Sequence, residues 1–98
     1  MCLIPSNLTI PELYAQDGKG NDAIVYAKLF TPDSDWTWYI TEYDPIDHVC
    51  FGLVEGVYPE LGYFSIDELE EVSGPLGLHV ERDRYFEPQP LKSVRKCW

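Results

Sequence analysis

Residues 36–43 read WTWYITEY, an alternation of two sets of side chains that is typical of an extended chain. Trp36, Trp38, Ile40 and Glu42 would share one face, and the threonines and tyrosines between them would share the other. β-Branched and aromatic residues also favour strands. The stretch therefore predicts a β-strand.

Turn-forming residues separate this strand from further strands on both sides. AIVYAKLF, residues 23–30, comes before it across a TPDSD turn, and VCFGLVEGVY, residues 49–58, follows after a second turn. ELGYFSI at residues 60–66 predicts a short fourth strand, and residues 78–81 predict a possible fifth. Such short connections are typical of antiparallel pairing.

A short helix is predicted after the fourth strand. Ser65 and Glu68 form a capping-box pattern at the start of IDELEEV, residues 66–72. We therefore expect an α+β fold, in which a small antiparallel sheet of three to five strands has one short helix packed on it. The length allows one hydrophobic core, so we expect a single α+β domain over residues 1–91 and a short basic C-terminal tail over residues 92–98.

The charge of the chain is strongly negative and unevenly distributed. Seven Lys and Arg stand against seventeen Asp and Glu, a formal net charge of -10. No Lys or Arg occurs between Lys28 and Arg82, whereas twelve acidic residues do. Such a body repels phosphate backbones and anionic lipid surfaces and attracts basic protein surfaces. We therefore expect neither a direct nucleic-acid partner nor a membrane partner. The simpler interpretation, that the acids only keep the chain soluble, stays open.

The cysteine content and the hydropathy pattern indicate the compartment. Cys2, Cys50 and Cys97 are odd in number and widely spaced, so they predict neither a disulfide framework nor a zinc site. We expect Cys50 to be a small buried apolar residue and not a nucleophile. The sequence has no run of about 18 apolar residues and no basic-then-apolar leader. We expect a cytoplasmic protein without a cofactor, and the oligomeric state stays open.

A metal-dependent alternative rests on Asp33 and Asp35, which flank a turn. With Glu42 or Asp44 as a third ligand they could bind Mg²⁺, and a nuclease would use that ion to generate the attacking hydroxide. The candidate general bases are the two histidines, His48 and His79. Asp residues also cap turns by bonding to their own backbone, so a structural role for the pair is the other interpretation.

Three stretches of the chain, taken in order, resemble a known family: LYAQDGKGNDAIVYAKLFTPDSDWTWYITE, FGLVEGVYPELGYFSIDELEEV and GPLGLHVERDRYF. The family is the domain of unknown function 2958, small bacterial proteins of plasmids, conjugative elements and phages, and the resemblance covers residues 13–88. It implies a mobile-element setting for this chain. It implies no activity, because no catalytic residues are established for the family, although some members bear a single-stranded DNA endonuclease label.

The charge, an aromatic content of 14% and the resemblance lead to one hypothesis. We expect an interaction protein of a mobile element that presents carboxylates in place of phosphates, a form of DNA mimicry. It would bind and inhibit a nucleic-acid-binding complex of host defence, as anti-CRISPR and anti-restriction proteins do. The expected partner-binding residues are Asp33, Asp35, Trp36, Trp38, Glu42, Asp44, Asp47, Glu68, Glu70 and Glu71, with the two tryptophans as apolar anchors. The alternatives are a metal-dependent single-stranded DNA endonuclease of a mobile element and an accessory subunit whose acids have no electrostatic role.

Overall fold

The computed structural model describes residues 3–4, 9–32, 35–72 and 76–94. Its elements in chain order are a 3₁₀ turn at Gly20–Asp22, β1 Ile24–Val25, β2 Ala27–Phe30, β3 Thr37–Asp44, β4 Val49–Glu55, β5 Pro59–Ser65, α1 Ile66–Glu71, β6 Glu81–Arg82, β7 Gln89–Pro90 and α2 Leu91–Val94. A five-stranded antiparallel sheet has the order β5-β4-β3-β2-β6, and β1 pairs with β7 in a separate small sheet. The predicted α+β class, with a small antiparallel sheet and a short helix, is confirmed. Within the described residues, no helix has both the length and the apolar character needed to cross a membrane.

The first predicted strand is broken in two at Tyr26. The Tyr26 N–H donates to the Ile40 carbonyl oxygen at 2.8 Å. On one side of this residue β1 pairs with β7, and on the other side β2 pairs with β3. The third strand ends at Glu55, three residues earlier than predicted, because residues 56–58 bend to connect β4 with β5.

A β-bulge at Thr41 reverses the predicted facing of the second half of β3. Ile40 lies opposite Gly52. The next paired residue, Glu42, lies opposite Phe51, so Thr41 is the extra residue in the ladder. The Thr41 hydroxyl donates to the Phe51 carbonyl oxygen at 2.9 Å. One extra residue moves every later side chain to the other face, and the prediction that Glu42 shares a face with Ile40 is therefore wrong.

Each face of the five-stranded sheet packs against its own core. The core on the side of α1 includes Leu29, Trp38, Ile40, Cys50, Ile66 and Leu69. The core on the other side includes Val25, Tyr39, Leu53 and Leu91. Strands β3 and β4 contribute to both cores, and residues 38–42 of β3 are consequently all buried.

Helix α2 packs the C-terminal segment onto the second core. Leu91 is 2% exposed, and its N–H donates to the Ala23 carbonyl oxygen at 2.9 Å. Lys92 forms an exposed ion pair with Asp22 at 3.0 Å. The predicted boundary between domain and basic tail, between residues 91 and 92, thus lies inside a packed helix. Residues 95–98 of that tail lie outside the described residues.

Candidate functional site

The β3–β4 turn and helix α1 lie side by side at one end of the sheet. The turn, residues 44–48, is closed by Asp44, whose Oδ1 accepts hydrogen bonds from two backbone N–H groups of the turn at 2.9 and 3.4 Å. The Ile66 N–H, at the start of α1, donates to the His48 carbonyl oxygen at 2.9 Å. The acidic residues of the turn and of the helix are therefore neighbours in space, although about 20 positions separate them in the sequence.

Six carboxylates at this end of the sheet form what we call the acidic end. They are Asp44, Asp47, Asp67, Glu68, Glu70 and Glu71, all exposed except the half-buried Asp44. The Ser65 hydroxyl fixes the start of α1 by accepting from the Glu68 N–H at 3.4 Å, which confirms the predicted cap. No acidic-end carboxylate forms an ion pair with a Lys or Arg of the described residues. Five of the six belong to the predicted partner-binding set, and Asp67 is the addition.

His48 is the only basic side chain paired with the acidic end in the described part of the chain. Its Nδ1 lies 2.9 Å from Oδ1 of Asp67. The hydrogen bond to Asp67 raises the pKa of His48 above its ordinary value of 6.5, and the charges of Asp67, Glu70 and Asp44 add to the shift. His48 adopts a positive φ of 57°, a conformation that histidine adopts more often than most residues other than glycine. This imidazole therefore reports the negative potential of the acidic end.

Two other predicted partner residues, Asp35 and Trp36, lie at the opposite end of the sheet. They precede β3, whereas Asp44 ends it, and the strand between them spans about 23 Å. Trp36 is 42% exposed and stacks on Trp38 with ring centroids 6.0 Å apart. Asp33 lies outside the described residues. The structure thus divides the predicted set between two ends of the molecule.

The structure places the remaining two predicted partner residues, Trp38 and Glu42, in the interior. Trp38 is 6% exposed and belongs to the core beneath α1. Glu42 is 5% exposed, and its carboxylate accepts hydrogen bonds from the backbone N–H groups of Tyr14 at 2.9 Å and Gln16 at 2.8 Å. Both residues therefore have structural roles in the interior, and neither lies on the exposed surface of the acidic end.

The basic residues gather in a groove at the end of the sheet that carries Trp36. This sheet groove has a volume of about 1040 Å³ and is lined by the start of β3 and the end of β4. Lys28, Arg82 and Arg84, three of the five Lys and Arg in the described residues, line it together with four carboxylates. None of the three forms an ion pair within 4 Å with a carboxylate of the described residues. The groove therefore carries both positive and negative side chains, and its Lys and Arg residues lie apart from the acidic end.

A second, smaller pocket opens beside Glu42 on the face of β4 and β5. This tyrosine pocket has a volume of about 370 Å³. Phe51 and Tyr63 line it from the sheet and meet edge to face, with ring centroids 4.9 Å apart. Tyr14 lines it from the preceding loop, and its hydroxyl forms a hydrogen bond with the Tyr63 hydroxyl that raises the pKa of Tyr63. No local sequence signal pairs these two tyrosines, because 49 positions separate them.

The residues of the metal-dependent alternative are dispersed in the described part of the chain. No three His, Cys, Asp or Glu side chains of the described residues come close enough to hold a metal ion. Asp35 and Asp44, at opposite ends of β3, are too far apart to bind one ion. Cys50 is fully buried, and burial raises the pKa of its thiol, so it is the apolar core residue that the sequence predicted.

Comparison with known proteins identifies a family. A family model described as a protein of unknown function (DUF2958) matches residues 6–95, nearly the whole chain. No curated protein and no solved structure matches the chain.

Proposed function

We propose that this chain, which belongs to the DUF2958 family of proteins of unknown function, is an acidic interaction protein that binds a basic, nucleic-acid-binding protein surface in the cytoplasm. By occupying that surface with carboxylates in place of phosphates, it would inhibit a nucleic-acid-binding complex of host defence. The acidic end is the surface that we propose for this contact. The inhibitor role fits the mobile-element setting that the family resemblance implies.

The observation that carries the proposal is the segregation of charge. Six carboxylates of the acidic end come from two neighbouring segments, and the described Lys and Arg residues leave them unpaired. Lys28, Arg82 and Arg84 lie instead in the sheet groove, toward the other end of the molecule. Exposed charges of one sign create a potential that extends over roughly one Debye length, about 8 Å at physiological ionic strength. The acidic end can therefore attract a basic surface without competition from a Lys or Arg of the described residues.

The physical mechanism is electrostatic steering followed by charge-assisted hydrogen bonding. A basic nucleic-acid-binding surface carries Lys and Arg side chains arranged to contact phosphate oxygens. Carboxylate oxygens on α1 and the adjacent turn offer acceptors of the same charge sign. Complementary potential mainly increases the association rate and the specificity of such complexes. Binding is therefore expected to weaken steeply with added salt.

The test compares two variants with the same change in net charge. The first neutralises the acidic end by Asp47→Asn, Glu68→Gln, Glu70→Gln and Glu71→Gln. The second neutralises four exposed acids elsewhere by Glu12→Gln, Glu60→Gln, Glu81→Gln and Glu87→Gln. Proteins captured from a bacterial host lysate by the unmodified chain and by each variant are identified, and the affinity of each purified candidate is measured. The true partner is retained by the second variant and lost by the first.

Two further measurements define the inhibition. The partner's affinity for labelled DNA is measured by fluorescence anisotropy, and adding the unmodified chain should weaken it in a competitive manner. The affinity of the chain for the partner should fall about tenfold or more between about 0.05 and 0.3 M salt. A partner whose binding is insensitive to salt and to the acidic-end substitutions would contradict phosphate mimicry.

Cleavage of labelled single-stranded DNA by the purified chain with Mg²⁺ or Mn²⁺, lost on Asp33→Ala, would support the nuclease alternative instead.

A further inference from the structure

The tyrosine pocket combines aromatic walls with a buried carboxylate. Phe51, Tyr63 and Tyr14 contribute three aromatic rings to a space of about 370 Å³. Tyr63 and Tyr14 are 55% and 67% exposed, so the pocket opens to solvent on their side. Glu42 lines the same pocket while only 5% exposed. A narrow site with these walls fits one side chain or a small ligand better than a flat protein surface.

The polar groups of this pocket are chiefly hydrogen-bond acceptors. Both donors of the Gln16 side-chain amide are occupied, because its nitrogen donates to the carbonyl oxygens of Ile24 at 2.8 Å and Thr41 at 2.7 Å. Its Oε1 accepts from the Ile24 N–H at 2.6 Å. The Glu42 oxygens accept two backbone N–H groups and retain lone pairs for further donors. Asp17 adds a second carboxylate to the rim. No Lys or Arg of the described residues lines the pocket.

The position of the pocket relates it to the acidic end. Glu42 precedes Asp44 by two residues on β3, and Tyr63 precedes the Ser65 helix cap by two residues on β5. Two residues of a strand span about 7 Å.

Ala23 and Leu91 of the second core also line the pocket, so it opens on the face of the sheet opposite α1. The part of the acidic end nearest to its mouth is the β3–β4 turn, and a basic surface drawn to Asp44 and Asp47 would bring its own side chains toward the tyrosine pocket.

We propose that the tyrosine pocket binds the cationic side chain of one lysine or arginine of a protein partner. The alkyl stem would contact Phe51 and the rings of the two tyrosines, and the cationic head would lie against those rings and donate hydrogen bonds toward Glu42. Aromatic faces attract cations through their quadrupole, and the attraction strengthens where the cation is shielded from water. That the cation belongs to a protein partner rests on the proposed function. That the pocket prefers a cation rests only on the geometry of its lining.

The sheet groove makes a useful contrast. It is larger and also has aromatic side chains, Trp36 and Tyr85, but Lys28, Arg82 and Arg84 already stand in it. A cationic ligand would meet like charges there. If the overall negative charge alone governed cation binding, a cationic probe would have the same affinity for both sites. The two sites therefore give opposite expectations for the same probe.

The experiment uses small probes, so that it does not depend on a partner. Nα-acetyl-lysine methylamide, Nα-acetyl-arginine methylamide and the neutral Nα-acetyl-norleucine methylamide, which has the four side-chain carbons of lysine without the ammonium group, are each titrated into ¹⁵N-labelled protein and followed by NMR. The two cationic probes should bind with dissociation constants in the low millimolar range and shift the amide signals of Phe51, Tyr63 and Glu42. The norleucine probe should bind at least fivefold more weakly. Comparing the two cationic probes shows which head group the pocket prefers.

Variants locate the binding. Tyr63→Leu removes one aromatic wall at an exposed position of an edge strand and should weaken binding of the lysine probe about fivefold to twentyfold. Tyr63→Phe keeps the ring and should weaken it less than threefold. Tyr85→Leu removes a tyrosine of the sheet groove that is more exposed than Tyr63 and should leave binding unchanged. Equal binding of norleucine and lysine, or equal affinity of Tyr63→Leu and the unmodified chain, would overturn the proposal.

The outcomes separate this proposal from the proposed function. If the probes bind in the pocket but no captured partner depends on the acidic end, the cation site stands and phosphate mimicry fails. If a salt-sensitive partner is found but Tyr63→Leu neither binds the probes differently nor affects that partner, the proposed function stands and the cation site fails.

Discussion

The backbone N–H of Gln16 donates a 2.8 Å hydrogen bond to Oε2 of Glu42, which lies 26 residues further along the chain. The other carboxylate oxygen of Glu42 accepts the Tyr14 N–H at 2.9 Å. Tyr14 itself has a positive φ of 70°, an unfavourable conformation for a bulky residue. A buried carboxylate on β3 thus fixes the backbone of the loop at Tyr14 and Gln16.

Replacing Glu42 by Ala should destabilise the protein strongly. The substitution leaves two partly or fully buried N–H groups without an acceptor, and we expect the free energy of unfolding to fall by about 3 kcal/mol. Urea denaturation followed by circular dichroism measures the change. Glu60→Gln, at an exposed position of β5 with no hydrogen bond to the described residues, is the matched control and should change stability by less than about 0.5 kcal/mol. Equal stability of the two variants would contradict the anchoring role.

Gly52 and Gly62 lie directly opposite each other on β4 and β5 but should respond differently to substitution. A Cβ atom on Gly52 would overlap the backbone carbonyl oxygen of Tyr39, which cannot move without breaking the β3–β4 ladder. Gly62 has open space around the same position. We expect Gly52→Ala to lower the free energy of unfolding by about 3 kcal/mol or more, whereas Gly62→Ala should be close to neutral. A similar effect of both substitutions in urea denaturation would contradict the close approach at Gly52.

The titration of His48 should depend on Asp67. Because the folded-state pKa is raised above 6.5, the protonated imidazole stabilises the fold below about pH 6.5, and this contribution is lost as the pH rises through the folded-state pKa. NMR titration of the His48 ring should give a pKa above 6.5 in the unmodified protein and a lower value in Asp67→Asn. Asp47→Asn, in the same turn but without contact to the ring, is the control. An unchanged His48 titration in Asp67→Asn would show that the ion pair does not form in solution.

Cys50 should be unreactive in the folded protein. Its side chain has no exposed surface, and burial raises the pKa of the thiol, so the reactive thiolate is both scarce and inaccessible. In a variant with Cys2→Ser and Cys97→Ser, a thiol-reactive chromogen should label no cysteine under native conditions and one cysteine in denaturant. Rapid labelling of the native variant would place Cys50 on the surface, contrary to the structure.

Strand β3 and the start of α1 could be predicted because the residues that determine them are close together in the sequence. The alternation of residues 36–43 predicted β3, and the spacing of Ser65 and Glu68 predicted the capped start of α1. The bulge at Thr41 could not be predicted in this way. It depends on a hydrogen bond to the Phe51 carbonyl oxygen on the neighbouring strand, and a threonine in a strand is otherwise ordinary.

The candidate site could be predicted only in part for the same reason. Sequence reasoning identified the acids of the turn and of α1, but their proximity depends on β5 returning alongside β4, where Ser65 pairs with Val49. It grouped Asp35 with them because both belong to the acidic stretch between Lys28 and Arg82, whereas an extended strand, β3, carries Asp35 and Asp44 to opposite ends of the sheet. The burial of Glu42 follows from the bulge and could not be read from the alternation.

Strand β3 supplies adjacent side chains to both cores, Trp38 to one and Tyr39 to the other. Neither core can lose its packing while the other remains intact, because the strand that would have to move is common to both. The small domain should consequently melt as one cooperative, two-state unit, with tryptophan fluorescence and tyrosine absorbance reporting the same midpoint. A substitution that loosens either core of such a protein therefore lowers the stability of the whole domain.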